Sequence, residues 1–392
     1  MNAFKDNIWK IYLFSFLVNL FFITGVLVPF FTDWGGISFF QILLLQSVFM
    51  LSIFLSEVPT GVVADKFGRK HSLILAVFVE IIAIITYTLA PQFMYFIIAE
   101  ILWGVGVALL SGADEAFVYD SLKKIKNTKQ AKKIFANKES VGLVGIMVAA
   151  PIGSFIAATI GLRETMLFIT IPMFLALLVG LTFKEPKNKK SKESRRYLDV
   201  LINGTKYLKN HKILRMLALN VVVLSAIAYF YLWLYQPMLQ QAGVDLVYFG
   251  WVHATMVIAE IIILTKIEFL EKIFKSKKGL LFWGAIITGG LMIVGGLTTF
   301  LPVVLLVIVV GGAFGLTRRT MFASYLNKYI PSDKRATVLS NISMMNRFLL
   351  IIANIFVGLL VEWSLNYTLI ILGTIAVVFT LVFRIEEKHL IE

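Results

Sequence analysis

Twelve apolar stretches, each about as long as a bilayer is thick, decide what this chain can fold into. They fall near residues 9–31, 38–63, 72–90, 93–113, 141–160, 166–184, 214–238, 248–267, 280–299, 302–323, 336–360 and 365–384. A helix of ~20 residues rises ~30 Å, the depth of the hydrocarbon core. Inside that core every backbone N–H and C=O needs a partner within the chain, and a helix satisfies its own. The expectation is an all-α integral membrane protein with 12 transmembrane helices, numbered 1 to 12 in chain order. Composition agrees: 59% of the 392 residues are hydrophobic and 15% are charged, far from the balance of a soluble domain. The first stretch lacks a small-residue cleavage site and exceeds a signal-peptide core in length, so it reads as helix 1.

The formal net charge of +14 is unevenly placed. Lys66, Arg69 and Lys70 occupy the second loop. The fourth holds Lys123, Lys124, Lys126, Lys129, Lys132, Lys133 and Lys138, the central loop 184–215 is basic, and the eighth holds Lys272, Lys275, Lys277 and Lys278. The loops around Asp33, Pro91, Asp245, Thr299 and Glu362 have no basic residue, and the fifth has only Arg163. This asymmetry places the basic loops and both termini in the cytoplasm. Anionic lipid headgroups are the expected contacts. Nucleic acid is not, because no aromatic–basic module accompanies the charge. Cysteine is absent, which excludes disulfides and thiolate metal sites. No His-rich or paired acidic ligand spacing occurs, so neither metal nor cofactor is expected. Lys, Ile and Phe usage suggests an AT-rich bacterium, hence a multi-pass protein of the bacterial cytoplasmic membrane, expected as a monomer.

The stretch 184–212 divides the chain. Residues 1–184 are read as an N-terminal six-helix bundle, 185–212 as a cytoplasmic linker and 213–392 as a C-terminal six-helix bundle. Within the linker, Tyr197, Leu198, Leu201, Tyr207 and Leu208 suggest a short amphipathic helix on the cytoplasmic surface. The halves read as a degenerate repeat. Asp65-Lys-Phe-Gly-Arg69 has an echo in Glu271-Lys-Ile-Phe-Lys275, and Gly104 and Gly106 have counterparts near Gly311, Gly312 and Gly315.

Between helices 2 and 3 runs Gly61-Val-Val-Ala-Asp65-Lys66-Phe-Gly68-Arg69-Lys70. It resembles the signature loop of the major facilitator superfamily of secondary transporters, Gly-x-x-x-Asp-(Arg/Lys)-x-Gly-Arg-(Arg/Lys). The resemblance implies two six-helix bundles with pseudo-two-fold symmetry around one cavity that opens alternately to each side. Helices 1, 4, 7 and 10 would line that cavity, and helices 2, 5, 8 and 11 would form the interface between bundles. It also implies a conformational latch made of Gly61, Asp65, Gly68, Arg69, Lys70 and Asp120. Asp65 ends helix 2, where the helix dipole disfavours a carboxylate, so it would face the start of helix 11, after Ile330-Pro-Ser-Asp-Lys-Arg-Ala-Thr337. Gly61 would permit close helix approach and Gly68 a tight turn. Arg69 would reach Asp120. The alternative is that Arg69 and Lys70 serve only topology. Asp114 and Glu115 on helix 4 also contrast with Arg318 and Arg319 on helix 10, either as exchangeable salt bridges or as separate solvated charges.

Ionisable groups at mid-membrane are costly, about 2.5–3.5 kcal/mol each on insertion scales, and face a cavity or a partner. Glu80, Glu100, Glu260 and Arg347 fall there, with Glu57 nearer the cytoplasmic end. Asn19 and Tyr231 complete the expected cavity set. Glu100 stands four residues before Gly104-Val-Gly106, where the family's helix-4 motif carries Arg. Burial favours the protonated form of a carboxylic acid, so Glu100 could take either a proton or a cationic substrate; the alternative is a structural ion pair. Glu260 and Arg347 either pair with each other or leave Arg347 to a substrate carboxylate. For Glu80, on a supporting helix, a structural role is favoured. His253 is either a packed residue or a proton carrier.

Tyr229, Phe230, Tyr231, Trp233 and Tyr235 cover more than one face of helix 7. They suit an organic cation or, for Trp233 and Tyr235, an interfacial aromatic belt. Helix 5 carries Gly142, Gly145, Ala150, Pro151, Gly153 and Ser154. This partly matches the helix-5 motif of antiporters in the superfamily and equally suits close packing. The function expected is proton-coupled efflux of lipophilic or cationic small molecules, as in the twelve-helix drug:proton antiporters. Alternatives are a proton symporter or facilitator for a small nutrient or carboxylate, a lipid exporter or, remotely, a membrane-embedded transferase. The transferase has the least support, since Asp114, Glu115 and Asp120 make no recognised metal motif.

Overall fold

The computed structural model describes residues 2–186, 206–330 and 335–383, which are almost wholly helical and contain no strand. Among the described residues, twelve spans are long and apolar enough to cross a membrane. They are α1 Phe4–Trp34, α2 Phe39–Phe67, α3 Arg69–Leu89, α4 Phe93–Lys124, α5 Thr128–Thr159 and α6 Leu162–Leu181, then α7 Lys212–Gln241, α8 Leu246–Thr265, α9 Lys277–Leu297, α10 Leu301–Phe322, α11 Thr337–Trp363 and α12 Leu365–Val382. The chain is therefore a multi-pass membrane protein. Two spans run well past the expected ends. The expected starts and stops followed the charges, whereas α4 continues through Asp114, Glu115 and Asp120, and α5 begins before Lys132, Lys133 and Lys138.

By contacts the chain forms two compact units. One holds Met1–Ser38, Leu44–Arg196 and Leu246–Ala254; the other holds Phe39–Leu43, Tyr197–Asp245 and Thr255–Glu392. In the first, α1 packs on α5 and α6, and α3 on α4 and α6. In the second, α9 packs on α12, and α7 on α10 and α11. Lipid tails are as apolar as Leu, so close packing rather than the hydrophobic effect holds such helices together. Glycine is the means at two crossings. A Cβ on Gly153 of α5 would lie 1.6 Å from the Phe22 carbonyl oxygen of α1. On α9 and α12, Gly289 and Gly373 face each other, each leaving no room for a Cβ on the other.

Among the interrupted spans, α1, α4 and α7 show three different kinds of break. α1 leaves the helix at 19–21 and resumes as a tight turn over Phe22–Val26. Asn19 Nδ2 donates to the Ser15 carbonyl (2.7 Å), an acceptor that the intact helix would have bonded. α4 breaks at Ser111 and Gly112, the latter at φ +73°. The Ala108 and Leu109 carbonyls left behind accept from Thr60 Oγ1 (3.2 Å) and Ser72 Oγ (2.6 Å), on α2 and α3. α7 turns at Phe230 between Lys212–Tyr229 and Tyr231–Gln241. Freed backbone groups at membrane depth need such substitutes, because lipid offers none.

Of the expected amphipathic linker helix, Tyr197, Leu198 and Leu201 lie outside the described residues. Leu208 does not lie on the surface. It is buried with Leu214, Leu217 and Phe322 in a core cluster of the second unit, and Tyr207 packs against that cluster.

Candidate functional site

Glu100 lies inside the first unit with 4% of its surface exposed. Gln46 of α2 donates its Nε2 to Glu100 Oε1 at 2.9 Å, and the Tyr87 hydroxyl of α3 is hydrogen-bonded to the same carboxyl group. Tyr87 itself packs among other aromatic rings. Tyr87 lies 6.1 Å from Trp103 and 6.3 Å from Phe96, and Trp103 lies 5.2 Å from Phe21. Both side-chain partners of Glu100 are neutral. Sequence reasoning missed them; a glutamine inside an apolar helix was the signal it passed over. Glu80 of α3 is buried against Gly106, and its side chain occupies the space a Cβ there would need. That contact gives the second glycine of the α4 pair its physical reason.

Asn19 lines a cavity of about 250 Å³ between α1, α4 and α5, with Ser15, Asp114, Lys138 and Glu139 as its other polar groups. Lys138 was read as a loop charge. Instead it is buried in α5, ion-paired with Asp114, and its Nζ lies 3.2 Å from Glu139 Oε1. Of the basic residues set against Asp114 and Glu115 in the sequence, Arg318 is buried in the second unit. There it donates to Asn220 Oδ1 (2.5 Å) and the Leu281 carbonyl (2.8 Å), and lies over Phe322. Arg319 donates to Ser343 Oγ at 2.9 Å.

The remaining cavity candidates are more ordinary. Tyr231 is fully buried, donates its hydroxyl to the Thr288 carbonyl at 2.8 Å, and fills the space over Gly311. It is held in the packing of α7, α9 and α10. Trp233 and Tyr235 are buried too, so neither belongs to a lipid-facing belt; α7 is the most enclosed of the spans. His253 is buried in α8, Glu260 is half-buried in the same helix, and Arg347 is half-buried in α11.

Around the signature loop, Arg69 at the start of α3 ion-pairs with the buried Asp120 and donates to the Ala116 carbonyl (2.9 Å), both on α4 beyond its break. Gly68 takes φ +101°, a conformation other residues resist. Lys70 Nζ donates to the Leu181 carbonyl at the end of α6 (2.8 Å). Asp65 is exposed, and residues 331–334, part of the stretch expected to face it, lie outside the described residues. Gly61 is exposed, and a Cβ there would meet nothing within 4 Å among the described residues.

One participant was not expected. Glu185, just beyond α6, accepts from the backbone N–H groups of Arg69 (3.1 Å) and Lys70 (2.7 Å). Its carboxylate caps α3, whose first N–H groups have no partner in their own helix. Asn7 adds a second tie to the same short segment. It exchanges two hydrogen bonds with the Lys184 backbone (2.9 and 3.0 Å) and donates to Ser121 Oγ of α4 (3.0 Å). Glu185→Ala is expected to lower stability by about 1 kcal/mol, the usual worth of a helix cap, measured as a fall in melting temperature of the purified protein. Glu185→Gln should recover part of it, because an amide oxygen still accepts.

A family model described as the Major Facilitator Superfamily matches residues 11–265. Among solved structures, a mutant form of the nucleoside transporter NupG is similar at a TM-score of 0.83 and 14% identity, covering 96% of this chain and 98% of that one. The D-xylose–proton symporter follows at a TM-score of 0.73 and 17% identity, covering 99% of both chains. A POT family transporter in complex with a thioalcohol-conjugated peptide is similar at a TM-score of 0.75 and 16% identity, covering 96% of this chain and 95% of its own. At these identities the structures speak for the fold. With the family match over more than half of the chain and twelve membrane-spanning helices, the protein belongs to the Major Facilitator Superfamily and is a membrane transporter of a small molecule rather than an enzyme.

Proposed function

We propose that this transporter is a proton-coupled exporter of lipophilic or cationic small molecules, working by alternating access in a bacterial cytoplasmic membrane as a monomer with both termini inside. Its bundles are 1–184 and 213–392, joined by 185–212. The observation that carries this reading is Glu100, a carboxyl group buried at membrane depth with neutral partners, Gln46 and Tyr87. An ionised carboxylate so placed is costly, and neutral donors ease that cost without cancelling the charge. The group is therefore suited to carry either a proton or a cation. Tyr87, the hydroxyl partner of Glu100, packs beside Trp103 and Phe96, and aromatic faces suit a cation that is organic. One acid serving both ligands makes them exclude each other, which is sufficient for exchange. Glu80 and Glu260 are the further acids available to carry protons, and Asn19 a further cavity residue. Gly61, Asp65, Gly68, Arg69, Lys70 and Asp120 form the latch that holds the outward-facing state.

The test uses the purified protein in liposomes with an acid exterior and fluorescent organic cations loaded inside. Native protein is expected to drive the cations out, and Glu100→Gln to reduce that movement to background. Activity that survives the substitution would move coupling to Glu80 or Glu260. Absence of cation movement by the native protein would end the efflux reading. A second reading is supported by the nucleoside transporter and the D-xylose–proton symporter among similar structures. It is uptake of a small polar solute with protons, and Arg347 is then the anchor for a solute carboxylate. Solute that accumulates along the proton flow, rather than against it, would establish that reading.

A further inference from the structure

The cavity beside the break in α1 has a charge pattern that the proton-carrying acid does not use. Its walls are apolar at Phe14, Val18, Leu143 and Ile146. Its floor is the Asp114–Lys138 pair, and Lys138 Nζ also reaches Glu139, whose side chain is 72% exposed at the rim. Glu115 sits close enough to interact with Asp114, Lys138 and Glu139. Lys138 thus pairs with two carboxylates, with a third in electrostatic range. Gly142 keeps the cavity open, since a Cβ there would press on Asn19 Nδ2 (3.1 Å) and Ser15 Oγ (3.3 Å).

We propose that this cavity binds a primary or secondary ammonium carried on a short apolar body, and that the Lys138 ammonium occupies the place on Asp114 that the ligand's ammonium takes. The argument is one of exchange. A buried lysine paired with an aspartate is a tethered ammonium on an apolar stem. A free ammonium of like chemistry satisfies Asp114 equally well, while its body covers the apolar wall. Lys138 then has somewhere to go, because Glu139 already lies within reach at the solvent-facing rim. Losing one partner of a buried pair is costly chiefly because the other is left uncompensated; the third charge removes that obstacle. No bond is made or broken beyond the ion pairs. The site's place in export, as the intake point on the side of the basic loops, rests on the efflux reading given above.

Binding is measured without any gradient, by calorimetry on the full-length protein in nanodiscs of zwitterionic lipid. The probe is phenethylammonium, with 3-phenylpropionate as the anionic control and phenyltrimethylammonium as the control lacking N–H donors. Native protein should bind phenethylammonium and neither control as tightly. Asp114→Asn should weaken binding at least tenfold, and Glu139→Gln severalfold, since Lys138 loses its refuge. Lys138→Met should tighten binding, because the competitor is gone. A cavity built for anions gives the opposite signs: Lys138→Met abolishes binding and Asp114→Asn strengthens it. That result, or unchanged affinity in Lys138→Met, overturns the proposal. If Lys138→Met does not fold, the exposed Glu139→Gln still decides. Gly142→Leu adds a test by bulk alone, and undiminished binding there counts against the cavity. No heat from the native protein, with Glu100-dependent efflux intact in liposomes, overturns the site and leaves the transport reading standing. Binding without gradient-driven movement does the reverse.

Discussion

Gly153→Ala is expected to remove most folded protein from the membrane, although it adds a single methyl group to a helix-favouring position. The added Cβ would fall 1.6 Å from the Phe22 carbonyl oxygen, so the two helices must separate rather than one side chain turn. Overpacking that a side chain can relieve costs about 1–3 kcal/mol. Here the neighbour is backbone, and about 3 kcal/mol or more is expected on the same scale. The location adds to the effect. Phe22 opens the tight turn that follows the unwound residues of α1, and nothing in lipid would satisfy those backbone groups if α5 withdrew. Gly142→Ala, eleven residues earlier on the same face, is the control. Its Cβ would lie 3.1 Å from the Asn19 side-chain amide, which can give way, so a loss below about 1 kcal/mol is expected. Melting temperature and monodisperse yield in detergent measure both. Equal behaviour of the two variants would mean that the α1–α5 crossing is not what holds the first unit together.

What the sequence conveyed follows from what hydropathy averages over. Twelve runs of apolar residues survive averaging over a helix length, and the fold is legible in them. The interruptions at 19–21, at Ser111–Gly112 and at Phe230 do not survive it, because each spans too few residues to lower a long window. Helix ends were misplaced where charge was taken as the end of helix. α5 runs past Lys138 because that lysine finds Asp114 across the bundle, and so can be buried without leaving the helix. Partners across helices were legible only where a motif fixed them. The pairing of Arg69 with Asp120 could be named from the signature loop. The Gln46 and Tyr87 contacts to Glu100 could not, since they depend on how α2 and α3 are rotated about their axes. Glu185 was hidden differently: its neighbours in sequence are linker-like, and its partners are backbone N–H groups that no residue identity announces.

The pairing of Arg69 with Asp120 should show an asymmetry that a mere topology charge would not. Asp120 has 8% of its side chain exposed and Arg69 has 29%. Arg69→Ala strands a buried carboxylate, whereas Asp120→Ala leaves an arginine that can still turn towards solvent. Breaking a buried pair costs about 3–5 kcal/mol when the surviving charge stays buried. Arg69→Ala should therefore fall near about 3 kcal/mol and Asp120→Ala clearly below it. The double variant should be less destabilised than the sum, by about 0.5–3 kcal/mol, the range for residues in direct contact. Arg69→Lys should not rescue. The guanidinium reaches Asp120 and the Ala116 carbonyl together, and a lysine ammonium lacks that planar fork. Thermal unfolding of the four proteins closes the cycle, and efflux from liposomes asks what the contact does in transport. Both Arg69 partners lie on the part of α4 beyond Gly112, so the pair fixes the direction in which that helix continues after its break. If stability falls in Arg69→Lys while efflux persists, the contact is a brace for α4 and the latch must reside in Asp65. If Arg69→Ala changes neither, the arginine serves topology alone.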